Sequence, residues 1–186
     1  AVQWLRDQLQ IINHANETEA LALSVKDNNG VYFVPAFSGL GAPHWAMQAR
    51  GEISGLTQGC NKAHIVRATL EAIAYQCFDL MTLMQKECAI DIKQLKVDGG
   101  ACANNFLMQF QADLLGVDIN RPENTESTVL GATILAAIGK GIWLTDSIPA
   151  CLYGKTDNFS AEMSKHESDT LITAWHNAVN KCLSNN

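Results

Sequence analysis

Apolar residues recur every three to five positions from Ile65 through Leu70, Ile73, Phe78 and Met81 to Met84. This spacing predicts a long helix over 61–87, capped by Asn61. The same periodicity predicts helices over 1–13 (Trp4, Leu5, Leu9, Ile12), 17–25, 104–115, 128–138 and 168–183. Gly116 stands where a left-handed residue commonly ends a helix. Shorter β-prone runs predict strands over 31–37, 51–56, 95–97 and 117–120, and Asp27-Asn28-Asn29-Gly30 predicts a turn.

From about residue 60 the order is helix, strand, helix, strand, helix. Such alternation implies right-handed crossovers between neighbouring parallel strands, and hence an α/β fold. Helices outweigh strands, so part of the sheet is expected in sequence outside the chain. The opening AVQWLRDQLQII has no helix start signal. The expectation is one domain over 1–186 that begins mid-domain, cut from a longer polypeptide.

Composition narrows the function classes. Apolar residues make up 47% and charged residues 17%, as in globular proteins. A net charge of −6 without any Lys/Arg block argues against nucleic-acid or anionic-membrane binding. No apolar run reaches the roughly 18–20 residues of a membrane span, and no signal peptide is visible, so a cytoplasmic protein is expected. Six scattered cysteines contain no CxxC pair, and Cys60-x3-His64 lacks the second pair of a zinc site. They read as small core residues in a reducing compartment.

Candidate chemistry centres on KVDGGACANNFLMQF, residues 96–110. Ligands of open α/β sheets gather where strands give way to helices. Glycines there admit a ligand close to backbone, and Asn104 and Asn105 offer amide groups to the edge of a base. An equally simple reading makes the glycines a turn and Asn104 a helix cap. The spacing matches neither GxGxxG nor the GK[ST] phosphate loop. Asp98 suits a cation, a ribose or a loop brace. His44 lacks an assignable nucleophile, Arg50 and Arg67 are isolated cations, and Glu71 and Asp79 read as solvated or salt-bridged rather than as a catalytic pair. Met81 and Met84 read as core.

Three stretches carry a resemblance: VYFVPAFSGLGAPHW, ARGEISGLTQGCNKAHIVRATLEAIAYQ, and LKVDGGACANNFLMQFQADLLGVDINRPENTESTVLGATILAAIGKGIW. Together they resemble the carboxy-terminal domain of the glycerol kinases, within the FGGY carbohydrate kinases of the actin-like/hexokinase/Hsp70 superfamily. The likeness is best over 3–143 and fades beyond about 150. Gly51-x-Ile53-x-Gly55-Leu56, then His64-Ile65-x-x-Ala68-Thr69-Leu70-Glu71, fits the second FGGY signature. The family pattern is broken at His44-Trp45-Ala46, where Tyr-Trp-Asp is common, and at Gln58, where Arg is.

The resemblance implies a ribonuclease H-like nucleotide-side domain and phosphoryl transfer from ATP, with Mg²⁺, to glycerol. It also implies a homo-oligomer, dimer or tetramer. Gln3, Gly100 and Asn104 match nucleotide-contacting positions, with Gly99 and Ala101 in the same turn. The catalytic Asp of the family lies in a GDQ-type segment upstream of the QWLRD helix, and therefore before Ala1. A kinase of the same family acting on another polyol or sugar, or a non-catalytic actin-like nucleotide-binding module, are the alternative readings.

Overall fold

The computed structural model describes residues 1–149, 152 and 154–184. Its elements are α1 (Val2–Asp7), α2 (Glu17–Leu23), β1 (Tyr32–Val34), β2 (Glu52–Ser54), α3 (Lys62–Cys88) and β3 (Gln94–Lys96). They are followed by α4 (Asn105–Leu115), β4 (Asp118–Pro122), α5 (Ser127–Gly139), β5 (Thr156–Phe159) and α6 (Lys165–Ser184). A 3₁₀ turn, Gly100–Ala103, joins β3 to α4.

Helix α3 organises the core and starts where its capping residues dictate. The Asn61 side chain accepts from the Ala63 N–H, while His64 Nδ1 accepts from the Asn61 N–H. Ala72, Ala74 and Tyr75 of α3 pack in one buried cluster with Val34 of β1, Leu107, Phe110 and Leu114 of α4, Ile119 of β4 and Trp175 of α6. The apolar stripe is less covered towards the end of α3, where Leu80 and Met84 are exposed. Met84 is therefore not a core residue, contrary to its place in the sequence pattern.

The buried polar ties follow α3 as well. Arg67 Nε meets Glu71 Oε1 at 2.8 Å, and Asn28 Nδ2 donates to Glu71 Oε2 at 2.7 Å. Arg67 also donates to the carbonyls of Ala22 and Val25, fastening the end of α2 to α3. Burial pushes the Glu71 carboxyl up, and Arg67 and Asn28 counter it. Glu71 and Asp79 are both buried, each with its own partners, so neither is solvated.

β3 and β4 are parallel neighbours joined through α4, as the alternation predicts, and β5 adds antiparallel to β4 to give the order β3-β4-β5. β1 and β2 form a separate antiparallel pair. β5 has no counterpart among the predicted strands. Helix α1 ends at Asp7, well short of 13, and Gln10 takes a φ of +53°. Leu5 and Ile12 nonetheless enter one buried cluster with Val66, so their helix-like spacing reports burial and not a continuous helix.

Candidate functional site

The 3₁₀ turn after β3, the start of α4, the start of α1 and the loop into α2 converge on a cavity of about 490 Å³. Gln3, Gly100, Ala101 and Asn104 line it together. Leu70 and Ile73 of α3 and Leu107 of α4 form an apolar wall. Thr18 and Glu19 of α2 lie on the same cavity, and sequence reasoning missed them. Their only signal was a place in the first turn of a predicted helix.

Asn104 meets both readings of its sequence. Its Oδ1 accepts from the Leu107 N–H at 2.9 Å, capping α4, while its Nδ2 donates to Thr18 Oγ1 at 3.1 Å. The amide keeps one N–H and one lone pair for a ligand. Asn105 turns elsewhere: its backbone N–H and its Nδ2 both donate to Glu19, at 2.8 and 3.1 Å. These bonds pin α2 to the head of α4 and fix one side of the cavity.

The two glycines differ in kind. Gly99 has φ +83° and ψ 168°, a region essentially closed to residues with a side chain. Its N–H donates to the Thr125 carbonyl at 2.9 Å and its carbonyl accepts from the Cys102 N–H at 3.1 Å, so it shapes the turn without lining the cavity. Gly100 does line it, and a Cβ built there meets no atom within 4 Å. The backbone there leaves open space for a ligand to approach closely. Gly99→Ala should therefore cost about 1–3 kcal/mol of stability in a urea titration, and Gly100→Ala close to nothing. Equal losses would mean that the backbone distinction has no energetic weight.

Of the remaining candidates, Asp98 and Arg50 take structural partners, whereas the buried His44 Nε2 makes no hydrogen bond among the described residues. Asp98 accepts from Ser127 Oγ and faces a separate open groove between the three-stranded sheet and α5, of about 1030 Å³. That groove is larger, but Asp98 is the one sequence candidate it holds. His44 Nε2 lies 4.0 Å from Asp79, whose carboxylate accepts from Trp175 Nε1 at 2.7 Å and lies 2.7 Å from His176 Nε2. Arg50 donates to the carbonyls of Met47, Gln48 and Ala49 within its own loop. Cys102 and Cys182 are buried, whereas Cys88 is exposed; Cys151 lies outside the described residues. Among the described residues no helix is long and apolar enough to cross a membrane. Nor does any group of three or more His, Cys, Asp or Glu side chains there stand ready to hold a metal.

Residues 1–139 match the family model described as the FGGY family of carbohydrate kinases, C-terminal domain. The chain belongs to this family. Two curated relatives are named glycerol kinase. That of Clostridium botulinum (strain Hall) is 50% identical over 182 residues, 98% of this chain and 36% of the relative. That of Alkaliphilus metalliredigens is 52% identical over 183 residues, covering 98% and 37%. The chain thus spans little more than a third of the length of these relatives.

Among solved structures, the Plasmodium falciparum glycerol kinase with ADP superposes with a TM-score of 0.86 at 34% identity, over 98% of this chain and 36% of that one. A ligand-bound xylulose kinase from Lactobacillus acidophilus follows at 0.75, with 23% identity over 97% and 37%. At that identity the likeness speaks for the fold alone. The FGGY match places the α/β arrangement among actin-like ATPase folds.

Proposed function

We propose that this chain is the nucleotide-holding portion of a glycerol kinase, whose intact form transfers the γ-phosphoryl group of ATP to glycerol and releases sn-glycerol 3-phosphate. One observation carries the reading. Gln3, from the first helix, lines the same cavity as Gly100, Ala101 and Asn104, about a hundred residues later. These are the residues that the family resemblance marked for nucleotide, and the cavity offers backbone approach at Gly100 with an apolar wall for a flat ring. The 50–52% identity to proteins named glycerol kinase supports glycerol over another polyol.

ATP supplies the phosphoryl group, and Mg²⁺ neutralises phosphate charge during such transfers. This chain's own residues bind and orient the nucleotide. The base that takes the hydroxyl proton is assigned to the part of the intact enzyme outside these 186 residues, and that enzyme is taken to work in the cytoplasm. The reading is tested by incubating the full-length protein with ATP and glycerol and following glycerol 3-phosphate. Formation of that product is expected, and ATP-dependent phosphorylation of another polyol in its place overturns the assignment. The 186 residues alone should form none; turnover above background by this chain would place catalytic groups within it.

A further inference from the structure

The head of α4, an 11-residue helix, opens on the cavity, and such an end ordinarily attracts an anion. Glu19 already stands there. Its Oε2 accepts from the Asn105 N–H at 2.8 Å and its Oε1 from Asn105 Nδ2 at 3.1 Å. Glu19 is also the sole charged side chain among the described residues that line the cavity; the others are apolar or neutral polar. The cavity therefore carries one negative charge and no side-chain cation to offset it. A triphosphate would meet repulsion from that half-buried carboxylate here. A neutral nucleoside would not.

Each carboxylate oxygen of Glu19 has accepted one of the hydrogen bonds its lone pairs allow, so an acceptor remains for a ligand donor. On this basis, and resting on the nucleotide reading above, we infer that Glu19 is a specificity-determining residue. It closes the head of α4 to phosphate and accepts a hydrogen bond from a neutral donor of the nucleoside, either the base amine or a ribose hydroxyl.

The test measures binding of adenosine, ATP, ITP and 2′-deoxyATP to the full-length protein and to Glu19→Gln. In Glu19→Gln the amide oxygen can still accept from the Asn105 N–H, while the amide nitrogen replaces the oxygen that accepted from Asn105 Nδ2 and offers the ligand a donor in place of an acceptor. Adenosine and ATP should both weaken by about tenfold, the scale of one charge-assisted hydrogen bond. The matching factor matters, because a contact to phosphate would spare adenosine and overturn the inference. In the wild type, ATP should outbind either ITP or 2′-deoxyATP by a similar factor, and that preference should shrink in Glu19→Gln. Loss against ITP identifies the base amine, and loss against 2′-deoxyATP the ribose hydroxyl.

A purely bracing role would lower the melting temperature and leave these ratios untouched. If Glu19→Gln does not fold, Asn105→Ala releases one of the two bonds that hold the carboxylate and should move the same ratio by less. An unchanged ratio in whichever variant folds overturns the inference. A wild type that binds ATP with no such preference sinks the Glu19 role alone, whereas one that binds neither ATP nor adenosine sinks the nucleotide reading with it.

Discussion

Gly100→Val in the full-length protein is expected to weaken ATP binding ten- to a hundredfold while melting temperature and glycerol affinity stay at wild-type values. A Cβ at Gly100 meets no protein atom within 4 Å, so the added side chain has room in the folded chain. The room it takes is that of the cavity shared with Gln3 and Asn104. Forcing a branched side chain and a ligand into one space costs about 1–3 kcal/mol, which is the stated range in affinity. Titration calorimetry with ATP and then with glycerol separates the two sites, since the cost should fall on nucleotide alone. A folded variant that binds ATP as the wild type does would remove Gly100 from the site. Gly99 cannot serve for this experiment, because its left-handed backbone makes any side chain a folding lesion before it is a binding one.

What sequence reveals here divides by range. Local devices were legible: Asn61 and Asn104 cap helices and Gly116 ends one at φ +64°, because each acts within a turn of itself. Strand β5 was not. Its Thr156, Asp157 and Asn158 are all exposed, so no alternation of apolar and polar positions marks it, and it forms by pairing with β4. The overlong first helix is the converse error. Leu5 and Ile12 are buried together, but Ile11 N–H already bonds the Leu5 carbonyl outside helical register. Half of the site was visible as the strand–glycine–helix junction. The other half, Thr18 and Glu19, reaches Asn104 and Asn105 across 86 residues, and no periodicity encodes a contact at that distance.

The largest stability effect is expected beyond the family match, at Trp175→Ala in α6. The match ends at residue 139, yet Trp175 is 1% exposed and stacks on Tyr75 of α3 with ring centroids 5.1 Å apart and planes 10° from parallel. Its indole N–H donates to Asp79 at 2.7 Å, and Ala178, Val179 and Cys182 continue the same buried cluster. Truncation leaves a large void beside Tyr75 and deprives a buried carboxylate of a donor. The expected loss is about 3–5 kcal/mol, a large share of the roughly 5–15 kcal/mol that holds a typical domain together. Trp45, 74% exposed, is the control, and its replacement by Ala should move stability by less than about 0.5 kcal/mol. Urea denaturation of the two variants measures both. A loss below about 1 kcal/mol at Trp175 would mean that α6 sits on the core without completing it. The expected loss would instead make α6 part of the unit that holds α3, and so part of what holds Leu70 and Ile73 against the cavity lined by Gly100 and Asn104.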